Sequence, residues 1–396
     1  MAHVRRLNGI ARHLECPSAI SFQLKVGEST CSSRKARPVV IGGMVLDIQA
    51  TPVRHDIQPG TTTPGEVCYV RGGVGRNIAE CMAKLGTEPF LISVVGDDFA
   101  GNLLIDHWRS LGLPVNGIRV CVGISTPVIS AVFDRTGELA AAVADTRAVE
   151  DYLTEEWIVK FTGEIQRASV LLVDANLDPL VIKLACEVAS DADVPVWFEP
   201  VSVAKSVRAT GCLSSMSYIS PNEAELVAMA NALHPTQFSS EKRRGSMYVV
   251  TIGDEMSRNN VYTVIYKLKD CIRKLLHAGV MYIILTVGSL GAVWCSMDLA
   301  GEISCLHIPA LQASVVKLSG AGDSLVAGTL AALSNNITTF RALAYGVAAA
   351  KLTVESDMNV PQTLSWTAIS DHTEGLLLLE TKNGSHLGER LLVEQC

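Results

Sequence analysis

Short apolar runs that end on glycine or a carboxylate recur along the 396-residue chain, and helical spacing follows most of them. Pro38 to Ile48 is apolar, interrupted by Gly42 and Gly43, and predicts a strand carrying Asp47 near its end. Val67 to Val70 predicts a short strand. Arg71-Gly72-Gly73-Val74-Gly75-Arg76-Asn77 then leads into Ile78, Cys81, Met82 and Leu85 on one helix face, closed by Gly86. Leu91 to Gly96 repeats the strand-to-glycine pattern, with Leu103, Leu104 and Trp108 on the following helix. Val128–Phe133 and Leu139–Val143 flank Asp134-Arg135-Thr136-Gly137 and predict a hairpin, either a lid over a site or a static edge.

The second half continues the alternation. Val170 to Asp174, Val194 to Glu199 and Tyr218 to Ile219 predict strands, and Met281 to Thr286 predicts another before a glycine turn and a strand through Trp294. Ala313 to Val316 reads as a strand end, and Val326, Leu330 and Leu333 place a helix after it. Residues 234–260, with the charge run Glu241-Lys242-Arg243-Arg244, read as a partly exposed insertion. Such alternation implies an α/β fold, a largely parallel sheet covered by helices on both faces. The expected layout is a flexible segment at 1–37, one domain over 38–370 with β-lid elements near 48–70 and 120–145, and an extension at 371–396.

Composition narrows the class of function. A formal charge of −7 disfavours non-specific binding to nucleic acid or a membrane surface. No apolar run reaches the roughly 18 residues needed to span a bilayer. The 11 cysteines form no C-x-x-C pair, which suits buried thiols in a reducing compartment better than a zinc site. Residues 1–37 are basic and polar without a secretory apolar core. Within them Arg6-Leu7, five residues and His13-Leu14 resemble the type-2 peroxisomal targeting signal. A chance match in a flexible arm, an organelle transit peptide and a cytoplasmic protein are the alternatives.

The candidate chemistry gathers where strands end. Ser319-Gly320-Ala321-Gly322-Asp323 stands before a helix, where glycines let backbone N–H groups approach an anion. Asp323 reads equally as an N-cap and as a general base beside that anion. Asp47 is either a structural carboxylate or a receiver of substrate hydroxyls. Asn222 and Glu225 share the first turn of a helix, where a carboxylate favours the dipole or holds a water or Mg²⁺ near phosphate. The Gly72–Asn77 turn is neither a G-x-G-x-x-G dinucleotide loop nor a P-loop.

Taken together, these stretches resemble the pfkB (ribokinase-like) family of carbohydrate and nucleoside kinases over roughly residues 38–365. Arg71 to Asn77 resembles its amino-terminal signature, and Ser319 to Asp323 its Gly-Ala-Gly-Asp signature. Asn222 to Glu225 resembles its Asn-x-x-Glu element, and Thr286 to Gly291 its nucleotide loop. Val40 to Asp47, Gly73 to Glu80 and Val196 to Ser202 look most like the plant-type members that take pseudouridine. The resemblance implies a ribokinase-like fold and ATP-dependent phosphorylation of the 5′-hydroxyl of pseudouridine. Asp47, Gly72, Gly73 and Asn77 would bind the ribose, and Asp323 would take the hydroxyl proton. The N–H groups of Gly320, Ala321 and Gly322 would receive the charge of the transferring phosphoryl group. Asn222, Thr286, Gly288 and Gly291 would bind ATP, with Glu225 ordering Mg²⁺. A homodimer and a peroxisomal import receptor complete the implied partners. Lys317-Leu318 stand where the family usually carries Asp-Thr, which puts activation by a monovalent cation such as K⁺ in doubt. Another nucleoside or sugar kinase, or a non-catalytic pfkB-like interaction protein, are the alternative functions.

Overall fold

In the computed structural model, the described residues are 36–53, 57, 60–135, 139–233, 246–251, 255–382 and 390–394. The segment expected to carry the targeting signal lies outside them, as do the hairpin tip at 136–138 and the charge run at 241–244.

Apolar strands build one large sheet. Its members are β1 (Val39–Ile41), β4 (Phe90–Gly96), β5 (Ile118–Cys121), β8 (Leu171–Asp174), β9 (Val196–Glu199) and β10 (Tyr218–Ile219), joined by β11 (Met247–Thr251), β12 (Tyr282–Thr286), β13 (Ala292–Met297), β14 (Ile303–Ile308) and β15 (Arg390–Glu394). The order is β15-β11-β14-β13-β12-β10-β9-β8-β1-β4-β5. Every pairing from β12 to β5 is parallel, whereas β13 runs antiparallel to both of its neighbours and β15 antiparallel to β11. Alternation along β1 explains the layering. Val39 and Ile41 join one buried cluster with Ile182 and Ile272, while Val40 joins the other with Ile78, Leu330 and Leu343. Helices therefore cover both faces: Val74–Lys84 (α1), Phe99–Ser110 (α2), Ala321–Ser334 (α6) and Thr339–Val354 (α7) on one, Pro179–Asp191 (α3) and Glu255–His277 (α5) on the other. Glu223–Ala232 (α4) follows β10, and Trp366–Lys382 (α8) packs on α7.

A second sheet stands apart. β2 (Val45–Pro52), β3 (Gly65–Gly72), β6 (Val128–Phe133) and β7 (Leu139–Asp145) pair in the order β3-β2-β6-β7, with the expected hairpin formed by β6 and β7. These strands coincide with the elements expected near 48–70 and 120–145. One face is open: Val67, Tyr69, Leu139 and Val143 are exposed.

Four expectations change. Pro38 to Ile48 is not one strand: the break at Gly42 and Gly43 divides it into β1 of the main sheet and β2 of the small one. Met247–Thr251 is a strand of the main sheet with Met247 and Val249 buried, and Glu255–His277 is a helix, so only 234–245 and 252–254 of the expected insertion lie outside the described chain. Ala313 to Val316 is not a strand: Val315 and Val316 are exposed, and the Val316 N–H donates to Val354 O instead of to a sheet. The boundary at 370 falls inside α8, and Arg390–Glu394 pairs with β11.

Candidate active site

The parallel strands β1, β8, β9, β10 and β12 end along one edge, where ligands of such sheets bind. A cavity of about 190 Å³ opens there, lined by Glu199, Ser220, Asn222, Glu225, Thr286, Gly322 and Asp323 among others. Five of the residues singled out in the sequence thus share one wall: Asn222, Glu225, Thr286, Gly322 and Asp323.

The Gly72–Asn77 turn joins this wall through its first helical turn. Asn77 Nδ2 donates to Asp323 Oδ2 at 2.7 Å. Asn77 is itself fixed by the buried Arg76 guanidinium, which contacts Asn77 Oδ1, pairs with Glu80, and donates to Gly72 O and Arg71 O. His107 Nε2 reaches the same Glu80 carboxylate at 3.1 Å. The close approach of α1 to β1 demands glycine. A Cβ on Gly75 would stand 2.7 Å from Gly42 Cα, and one on Gly73, whose φ is 94°, would stand 2.3 Å from Gly43 O. Asp174, buried at the end of β8, accepts from the N–H groups of Gly43 and Gly75 and so ties the two glycine segments together.

Asp323 is not the N-cap. Gly320, at φ 82°, occupies that position, and Asp323 is the third residue of α6. A capping carboxylate accepts from N–H groups two or three residues ahead, and Asp323 accepts from Asn77 instead. It is partly exposed at the cavity wall, yet so hemmed in by protein that burial raises its carboxyl from the ordinary 3.8 to about 6. Asn77 and Arg76 oppose that rise, whereas Asp174 and Asp47 add to it. Of the expected N–H donors, Ala321 N already reaches Leu318 O at 3.3 Å, while Gly322 faces open space. Gly320 packs against Asn359, where a Cβ would lie 2.6 Å from the carbonyl oxygen.

Asn222 and Glu225 form a reciprocal capping box. Asn222 Oδ1 accepts from Glu225 N and Glu225 Oε2 accepts from Asn222 N, each at 2.9 Å. Burial raises the Glu225 carboxyl, and the cap bonds hold it down in part. Facing it is Glu199, whose carboxyl is raised well above its ordinary value, first by burial and then by Asp323 and Glu225. Ser220 Oγ donates to Glu199, and Trp197 Nε1 donates to Ser220 Oγ at 2.7 Å. Next to Glu199, Val201 sits at φ 65°, a strained conformation for a β-branched residue. Among the described residues no three His, Cys, Asp or Glu side chains converge as a metal cage. Two hard carboxylates that repel each other nonetheless fit Mg²⁺, which commonly keeps its waters and takes one or two protein carboxylates.

The remaining expected residues have other places. Asp47 on β2 lies against Gly72, where a Cβ would stand 2.5 Å from Asp47 Oδ2. Gly288 and Gly291 shape the turn after β12: Gly288 has φ 55°, and Gly291, at φ 103°, packs on the end of β14. Only Thr286 of that stretch lines the cavity. Sequence reasoning passed over Glu199, Asp174 and Asn359. The first two carried a legible signal, a carboxylate closing a buried apolar strand; Asn359 carried none.

Comparison with known proteins agrees with this geometry. Residues 35–359 match the pfkB family carbohydrate kinases. A pseudouridine kinase of Arabidopsis thaliana is 40% identical over 380 residues, 85% of this chain and 95% of that protein. A pseudouridine kinase of Escherichia coli is 28% identical over 290 residues, 73% of this chain and 81% of its own. The structure of Arabidopsis thaliana ribokinase complexed with ribose and ATP superimposes with a TM-score of 0.65 at 19% identity, covering 86% of this chain and 99% of that one. On that match and the relatedness of the whole sequence, the chain belongs to the pfkB family of carbohydrate kinases, phosphotransferases acting on a hydroxyl acceptor.

Proposed function

We propose that the protein transfers the γ-phosphoryl group of ATP to the 5′-hydroxyl of pseudouridine. The Asn77–Asp323 contact carries the chemical part of this reading: it aims a carboxylate of raised pKa at the cavity beside the amino terminus of α6. The plant and bacterial relatives support the acceptor.

In this reading Asp323 accepts the proton of the 5′-hydroxyl as its oxygen attacks phosphorus, and the N-terminal turn of α6 takes up charge on the phosphoryl oxygens. Asp47, Gly72, Gly73 and Asn77 hold the ribose; Asn222, Thr286 and the Gly288–Gly291 turn approach the nucleotide. Glu225 and Glu199 would hold Mg²⁺, which would supply neutralisation of the phosphate charge. The small sheet serves as a lid that keeps water from the reacting groups. A homodimer and recognition of Arg6 to Leu14 by a peroxisomal import receptor belong to the reading on the sequence resemblance.

Purified protein with Mg²⁺ and ATP is expected to phosphorylate pseudouridine well and uridine, adenosine, ribose and fructose poorly. Equal or better turnover of another acceptor would overturn the substrate and leave the kinase class. ATP binding without transfer to any of them would point to a non-catalytic protein.

A further inference from the structure

Asp47 lies on the small sheet, in register with Val70 and Ile129, yet its hydrogen-bond partner comes from the main body. Asn359, buried in the loop after α7, donates from Nδ2 to Asp47 Oδ2 and to Arg71 O, each at 3.1 Å. Its other amide atom is also used: Lys317 Nζ donates to Asn359 Oδ1 at 3.0 Å. The amide is thereby pinned at both ends and cannot flip without losing both contacts. Asp47 Oδ1 is buried and without a hydrogen-bond partner. Leaving a buried carboxylate oxygen unmade is costly, so its natural complement is a donor brought by a ligand.

We propose that Lys317 and Asn359 are positioning residues which hold the Asp47 carboxylate so that its unpartnered oxygen takes a hydroxyl of the acceptor. The relay joins the small sheet to the helical layer over the main one: Lys317 precedes α6, Asn359 follows α7, and Asp47 belongs to β2. It also touches the anion-binding turn, since the Asn359 backbone packs on Gly320. Lys317 is half-buried, and the price of burying its ammonium is offset by Asp47 and Asp357. Reciprocally, Lys317 and Arg76 favour the ionised form of Asp47 against burial, while Asp323 faces it as a like charge. The inference rests on the acceptor site proposed above, but not on the acceptor's being pseudouridine.

Two measurements on the full chain test it. With ¹³C-labelled aspartate carboxyls, and the Asp47 signal assigned by its loss in Asp47→Asn, Lys317→Met is expected to raise the Asp47 midpoint and Lys317→Arg to keep it near wild type. An unchanged midpoint in Lys317→Met overturns the relay, whatever the substrate. Kinetics use whichever acceptor the wild type turns over best. Lys317→Met should raise the acceptor KM about tenfold and leave the ATP KM and kcat within about threefold, the pattern of lost uniform binding. Its acid limb for kcat/KM of the acceptor should move to higher pH, and Lys317→Arg should restore both. Equal losses for ATP and acceptor would mean a merely structural role and overturn the proposal. Failure of the wild type on pseudouridine alone would reject the substrate while leaving the relay standing.

Discussion

A carboxylate that must shed its proton to act, and must then take one from a hydroxyl, gains from being part-way buried. Asp323 is in that position, and the same burial sets a stability cost. Its folded-state value is raised above the ordinary 3.8 to about 6, so the folded protein holds this proton more tightly than the unfolded chain does. The stability it contributes is complete below the ordinary value and is lost as pH rises through about 6, while activity runs the opposite way. Asp323→Asn should therefore lower kcat by on the order of 10²–10⁴. At pH 8 the same variant should be more resistant to denaturant by on the order of 2 kcal/mol, a gain that fades towards pH 4. A change in kcat under about threefold would remove Asp323 from the chemistry. This residue was legible in the sequence because glycines and a helix follow one another around it. Its position as third residue of the helix was not, since the left-handed turn at Gly320 decides the register and only coordinates reveal it.

Glycines at the strand-to-helix junctions look alike in the sequence and divide into two kinds in the structure. Gly75 brings α1 onto β1 backbone against backbone, with no flexible atom able to yield. Gly322 faces open space in the first turn of α6 and lines the cavity. Gly75→Ala is accordingly expected to cost at least about 1–3 kcal/mol in denaturant unfolding, as overpacking does. Gly322→Ala should leave stability unchanged or raise it by roughly 0.5–1 kcal/mol, since alanine suits a helix better. Its added methyl should nevertheless raise the ATP KM by crowding the space where phosphate would approach. A loss of stability in Gly322→Ala, or none in Gly75→Ala, would contradict the division. Periodicity located both elements, although residues 75–82 of α1 and 324–333 of α6 are buried on every side; what it lacked was the partner that each glycine meets.

At the scale of the molecule, the alternation of strand and helix was enough to expect a parallel sheet, since both faces of β1 are apolar and must be covered. It was not enough to place β11, where Met247 and Val249 alternate over too few residues beside a strongly charged stretch, nor β15, whose pairing with β11 is a long-range contact. The domain's first strand begins at Val39, and the polar arm before it carries the Arg6-Leu7 and His13-Leu14 pairs. If that arm is an address read by a receptor, it should act without the fold behind it, because short targeting segments are recognised as local amphipathic elements. Residues 1–40 fused to a fluorescent protein should then give punctate signal coincident with a peroxisomal marker. Arg6→Ala or His13→Ala should each make it diffuse, since each removes one side of the paired pattern, whereas Arg12→Ala, outside the pairs, should leave the puncta in place. Diffuse signal from the native fragment would remove the peroxisome from the reading and leave the kinase domain's chemistry untouched.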